Sequence, residues 1–288
     1  MILVIGGRSR TGQELIRLLD SAGAPVRVLT RSGEPSGGSA ETVTADLAKP
    51  DTLDLAMKGV TSVFLLCGTA HDEAAWLRNG IDAAARAGVG HVVKSSILGS
   101  SSASPARFIR HHGDTDAHLA ASGLPYTILR PNMYMHNVTS GWPASIGEDG
   151  LYYAPAGDAR ISAVDARDVA AVAAAVLLSP DGHLGQAYDL TGPAALSTAQ
   201  CCALLGAHLG RTVTYVPVDD DTAKGAMSGF GLPAWLADAL IELYQDYRRS
   251  GPDGYASVVS DSVRAITGRS PMTLDQALLA DLGRQPVE

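Results

Sequence analysis

Ile2-Leu3-Val4-Ile5-Gly6-Gly7-Arg8-Ser9-Arg10-Thr11-Gly12 sets a short apolar run, a glycine turn and the start of an amphipathic segment in immediate succession. Four apolar residues without alternation suit a strand covered on both faces, as in a parallel sheet. Gly6 permits the turn, Gly12 lets helix and strand approach, and the amides at the helix start are placed to face an anion. The stretch therefore reads as a dinucleotide loop of the G-x-x-G-x-x-G form, in which Gly6, Arg8, Ser9, Arg10, Thr11 and Gly12 line a pyrophosphate. Ser9 stands at the middle glycine, where its side chain crowds the diphosphate but its hydroxyl can donate to a phosphate oxygen. The bland alternative is a glycine turn in an α/β fold that binds nothing.

Outward from this loop, apolar runs recur at 26–29, 63–66, 91–93 and 126–129, separated by segments of helical period. That alternation predicts an α/β fold with a doubly wound parallel sheet. Leu15, Leu18, Leu19 and Ala22 share one helix face, as do Ala74, Leu77, Ile81, Ala84 and Ala85. Ser197 with Gln200 and Thr273 with Gln276 fit capping boxes, and Pro233 fits the first turn of a helix reaching Arg249. The C-terminal third is thus mostly helical. Residues 132–160, rich in Gly, Pro and aromatics, follow a strand where such sheets place their ligand crevice, and are read as a substrate-side insertion. The expected organisation is a dinucleotide-binding core, 1–130 with about 155–192, and a smaller substrate lobe, about 131–154 with 193–288. Residues 33–39 and 100–104 read as loops, and disorder is expected only near the C-terminal end.

The second strand addresses the choice of dinucleotide. A carboxylate about 20 residues past the loop would hold a ribose 2'-OH, but Leu29-Thr30-Arg31-Ser32 has Arg31 there. Arg31, with Arg8 or Arg10, would instead pair with a 2'-phosphate, which favours NADP(H) over NAD(H). Asp46 can accept from the adenine amino group or serve as a cap. Cys67-Gly68-Thr69 ends a strand with small residues that leave room for the dinucleotide, and nothing in the sequence marks a base that would activate the Cys67 thiol.

The formal charge of −8 and the presence of only four lysines argue against a nucleic-acid surface. Three cysteines, two of them adjacent, suggest neither a disulfide framework nor a spaced metal site, hence a reducing compartment. No signal-peptide core and no membrane-length apolar run is present, so the expectation is a cytoplasmic monomer or homodimer acting on a small molecule.

Together with the glycine loop, Thr30-Arg31, Asp46-Leu47, Lys94-Ser95-Ser96, the run Ser122-Gly123-Leu124-Pro125-Tyr126-Thr127-Ile128-Leu129-Arg130-Pro131-Asn132, the run Val164-Asp165-Ala166-Arg167-Asp168-Val169-Ala170 and Tyr188-Asp189-Leu190-Thr191-Gly192-Pro193 resemble the NmrA-like group of atypical short-chain dehydrogenase/reductases. The resemblance spans nearly the whole chain. It implies an NADP-binding Rossmann-type core with a C-terminal lobe closing over the nicotinamide, and contacts from Leu47, Ser95, Ser96, Pro131 and Asn132. Proteins similar to this include quinone reductases, reductases of biosynthetic intermediates and redox-sensing regulators.

The Tyr-x-x-x-Lys pair that acidifies a phenol for carbonyl reduction is absent: Tyr126 is followed four on by Arg130, Tyr134 by Val138 and Tyr244 by Arg248. The lysine that family members carry after a histidine is here Gly113, after His112. His112 and Asp116, at i, i+4, are the remaining candidates, the carboxylate expected to orient the imidazole and raise its pKa; the other reading is a surface ion pair. Tyr134 or His136 is a candidate donor to an acceptor oxygen, against a core-packing role for Met133 and Tyr134. The expected function is hydride transfer from NADPH to a planar conjugated acceptor such as a quinone or enone. The alternatives are a non-catalytic NADP(H) sensor and an enzyme using the cofactor for a non-redox rearrangement.

Overall fold

Alternation along the first strand sends Ile2 and Val4 to one face of a sheet and Leu3 and Ile5 to the other, and each pair finds its own hydrophobic core. The structure, a computed structural model, describes residues 1–34 and 39–283. In chain order its strands are Ile2–Ile5 (β1), Val26–Thr30 (β2), Glu41–Thr44 (β3), Ser62–Leu65 (β4), His91–Ser95 (β5), Tyr126–Pro131 (β6), Leu151–Ala154 (β7), Arg160–Ile161 (β8), Gln186–Leu190 (β9), Leu196–Ser197 (β10) and Thr214–Pro217 (β11). The helices are Arg10–Ser21 (α1), Leu53–Met57 (α2), Glu73–Arg86 (α3), Arg107–Ala121 (α4), Ala166–Leu178 (α5), Thr198–Leu209 (α6), Asp220–Gly229 (α7), Ala234–Ser250 (α8), Ser262–Thr267 (α9) and Leu274–Leu282 (α10).

Seven strands form one parallel sheet in the order β3-β2-β1-β4-β5-β6-β9. The order reverses between β1 and β4, and a crevice opens above the carboxyl ends of strands at such a point. One face of the sheet is covered by α1, α5 and α9, the other by α2, α3 and α4. The buried stripe of α1 is Thr11, Gly12, Leu15, Ile16 and Leu19; Ala22, expected on that face, lies past the helix end and is exposed, as Ala85 is on α3.

A third cluster joins Met135, Val138, Tyr152, α6 and α10, while the small pairings β7 with β11 and β8 with β10 flank it. Both capping boxes form, at Ser197 and Thr273, and Pro233 immediately precedes α8. One part of the expected lobe lies elsewhere: Val263 of α9 is fully buried in the core shared by the sheet, α1 and α5, because its apolar face meets α5 and β9. The 33–39 loop falls partly, and the C-terminal end at 284–288 wholly, outside the described residues. No helix among the described residues is long and apolar enough to cross a membrane.

Candidate active site

The turn after β1 is as tight as its glycines require. Gly6 has φ +88°, and a Cβ on Gly12 would lie 2.2 Å from the Gly6 carbonyl oxygen and 2.7 Å from Gly7 Cα. Ser9 is the N-cap of α1: its Oγ accepts from Gly12 N–H at 3.0 Å and donates to Gly6 O at 2.8 Å. The Ser9 hydroxyl proton is therefore spent inside the loop and not offered to a phosphate, contrary to the sequence expectation. Capping turns the side chain inward, and the Arg10 and Thr11 amides remain as first-turn donors with no intrahelical partner. These amides, at the β1/β4 reversal, make an anion cradle.

Arg31 follows β2 and is exposed, with no carboxylate in ion-pair range among the described residues. Arg8, in the loop itself, is exposed and pairs with exposed Glu34 at 3.2 Å, a contact weak enough to exchange for a stronger anion. Arg10 departs from expectation. Its guanidinium reaches Asp281 of α10 at 3.0 Å and Ser140 at 2.8 Å, so only its amide serves the cradle.

Asp46 Oδ1 accepts from Ala48 N–H at 3.0 Å, a local turn, and Leu47 is buried with its carbonyl accepting from Asn79 at 2.8 Å. Gly68 and Thr69 are exposed beyond β4, and the protein places nothing within 4 Å of a Cβ built on Gly68. Burial, reinforced by Glu73, pushes the Cys67 thiol up to about 12, so it stays protonated and unreactive at neutral pH.

Ser95 and Ser96 are buried at the end of β5. The Tyr134 hydroxyl is buried beside Thr11 and Ser95 yet completes no hydrogen bond with a described residue. Its ring stacks on His136 at 5.1 Å. That hydroxyl is a buried polar group left unmatched beside the first turn of α1. Asn132 is matched: its amide nitrogen donates to Ser162 Oγ at 2.9 Å and Ala256 O at 2.7 Å, and its oxygen accepts from Met133 N–H at 2.8 Å. Asn132 ties the end of β6 to the segment after α8, and the Pro131 carbonyl is likewise taken by Leu98 N–H at 2.9 Å. Within the 132–160 stretch, Trp142 and Tyr152 are packing residues that stack at 4.2 Å in the third cluster. An apolar cavity of about 190 Å³ opens there, lined by Met135, Ile161, Leu196, Cys201 and Leu204.

His112 and Asp116 lie on α4 but do not bond to one another. The Asp116 carboxylate accepts from Lys94 Nζ at 2.7 Å, Ser96 Oγ at 2.7 Å and Ser100 Oγ at 2.7 Å. The neighbour of His112 is Lys94, whose Nζ is 3.4 Å from Nδ1. Burial first, then the Lys94 charge, holds the imidazole well below the usual histidine range, the opposite of the rise expected from an adjacent carboxylate. Lys94, fully buried on β5, is the group that sequence reasoning left without a role. Glu73 is another: it starts α3 with its carboxyl buried, pushed up to about 7 by desolvation, with Oε1 3.4 Å from His111 Nδ1. Among the described residues, no group of three or more His, Cys, Asp or Glu side chains is arranged to hold a metal ion.

Residues 1–266 match the family model described as NmrA-like family. The chain is 39% identical over 277 residues to an NAD(P)H azoreductase of Xenophilus azovorans, covering 95% of each. It is 36% identical over 275 residues to a (4-alkanoyl-5-oxo-2,5-dihydrofuran-3-yl)methyl phosphate reductase of Streptomyces griseus, covering 93% of each. Among solved structures, the NADPH-dependent quinone oxidoreductase QOR2 of Escherichia coli, crystallised with NADPH, superposes with a TM-score of 0.86 at 28% identity, over 97% of this chain and 99% of that one. A parallel sheet with its glycine turn at the strand-order reversal, matched along nearly its full length by these proteins, places this chain in the NmrA-like family.

Proposed function

We propose that this protein is an NADPH-dependent oxidoreductase that delivers hydride to a planar conjugated acceptor, such as a quinone, an enone or a biosynthetic intermediate of that kind. The observation that carries the reading is the amide cradle at the β1/β4 reversal, with Arg31 exposed just past β2 and unpaired among the described residues. The residues fit the group: Gly12 leaves the space a Cβ would fill, and the Tyr134 hydroxyl is an unpaired donor beside it. When bound, the nicotinamide supplies the hydride. The Arg10 and Thr11 amides hold the diphosphate, Arg31 with Arg8 grips the 2'-phosphate, and Tyr134 with Ser95 orients the reacting end. The relatives' names, an azoreductase, an oxo-dihydrofuran reductase and a quinone oxidoreductase, share a flat conjugated acceptor, which supports that class here. Residues 131–154 with 193–260 and α10 form the substrate side. The three free thiols accord with a cytoplasmic setting.

Purified protein should oxidise NADPH in the presence of quinones, enones or azo dyes. A panel inert throughout would favour an NADP(H) sensor, and a product that forms without label from the cofactor would favour a non-redox role. Arg31→Ala is expected to weaken NADPH binding by about 10- to 100-fold, the loss of one or two charged hydrogen bonds, and to leave NADH nearly unchanged. Fluorescence titration with both coenzymes measures this; unchanged selectivity would assign 2' recognition to another residue.

A further inference from the structure

Lysine is almost never fully buried unless paired, and Lys94 is paired in an unusual way. Its ammonium has only donors. One goes to Asp116 at 2.7 Å, and His112 Nδ1 lies 3.4 Å away. A donor facing Nδ1 requires that nitrogen to be unprotonated, so the ring proton of neutral His112 sits on Nε2. Nε2 is bonded to no described residue and is not among the buried orphan atoms, so on this half-buried side chain it keeps some exposure. Asp116 is saturated by Lys94, Ser96 and Ser100, with Arg130 Nε at 3.8 Å, and acts on His112 only through the lysine.

We propose that Lys94 is the proton source behind His112, and that the pair protonates the reduced acceptor. The inference rests on the oxidoreductase reading and deepens it, because it names the acceptor class: one whose reduction leaves a basic heteroatom anion, such as a phenolate, enolate or hydrazide. As hydride from the dihydronicotinamide forms the new bond to the acceptor, an electron pair moves to its heteroatom. That atom takes the proton from His112 Nε2, while Nδ1 takes one from Lys94 Nζ. His112 stays neutral throughout, and Lys94 is left as an amine against Asp116. After product leaves, water protonates Nε2, Nδ1 returns its proton to Nζ, and the cycle closes.

Burial lowers the Lys94 pKa against the opposing pull of Asp116, which eases release of this proton. The charged and titratable groups acting on the imidazole are Lys94 on β5 and His111 on α4, and those acting on Lys94 in turn are Asp116 on α4, Glu73 on α3 and Arg130 on β6. Of these, Lys94 is the closest charge in the direction of Nδ1.

The test is 15N NMR of histidine-labelled protein without cofactor, using wild type and Lys94→Met/Asp116→Leu, a pair chosen so that neither charge is left buried alone. In wild type, His112 should be neutral at neutral pH with the proton on Nε2; in the variant its pKa should rise, while burial still holds it below the ordinary histidine range. With NADPH and an accepted quinone, the variant's kcat should fall about 100-fold while KM for NADPH changes little. A wild-type His112 protonated on Nδ1 or titrating near neutrality, or a variant with unchanged kcat, overturns the relay even if the protein reduces quinones. A protein that fails to oxidise NADPH with every acceptor of the panel overturns the oxidoreductase reading and the relay with it.

Discussion

Asp116→Ala should lower folding stability by about 3–5 kcal/mol, measured by urea denaturation. The substitution removes the partner of a fully buried ammonium and also strands the hydroxyls of Ser96 and Ser100, each 2.7 Å from the lost carboxylate. The deficit has a pH signature. Lys94 is already pulled below its ordinary pKa by burial, and without Asp116 it falls further. The unfolded chain then binds more protons than the folded one, so the variant's stability climbs as pH rises toward the unfolded lysine pKa. Lys94→Met/Asp116→Leu should recover most of the loss, since the penalty is the uncompensated charge more than the worth of the pair. A single variant within 1 kcal/mol of wild type would show that Lys94 reaches water.

The second large effect is on coenzyme affinity. Gly12→Ala should weaken NADPH binding on the order of 100-fold or more, about 2.7 kcal/mol, in a fluorescence titration. The new methyl would meet the Gly6 carbonyl at 2.2 Å and Gly7 Cα at 2.7 Å. Both are main chain and cannot rotate aside as a flexible side chain would. The strand turn and the helix start must part, which disperses the amides that converge on the diphosphate. Near-native affinity would mean that the dinucleotide is held elsewhere.

The parts of this molecule legible in its sequence are those set by local period and by turn chemistry. β1 and its glycine turn read correctly because four buried residues, the turn and the cap are contiguous. The buried network was harder, since it joins residues from β5, α3 and α4 that no spacing rule connects. Lys94 did leave a trace, a charge directly after Val92 and Val93 in a strand with both faces covered. Glu73 left another, at i−4 and i−8 from Leu77 and Ile81 on the buried face of α3. The i, i+4 rule misled at His112 and Asp116, because tertiary partners from β5 outcompeted the helical neighbour. Asn132 misled in the same way: position after a strand suggested a ligand contact, while Ser162 and the Ala256 carbonyl had consumed its amide.

Arg10 carries one of the cradle amides on its backbone and Asp281, near the far end of the chain, on its side chain. Asp281 also receives Thr139 at 2.6 Å and stands 3.6 Å from Arg167. The side chain of a loop residue is thereby tied to α10 through Asp281. On the proposed function, shortening the protein past residue 273 would remove Asp281 and register as slackened nucleotide retention.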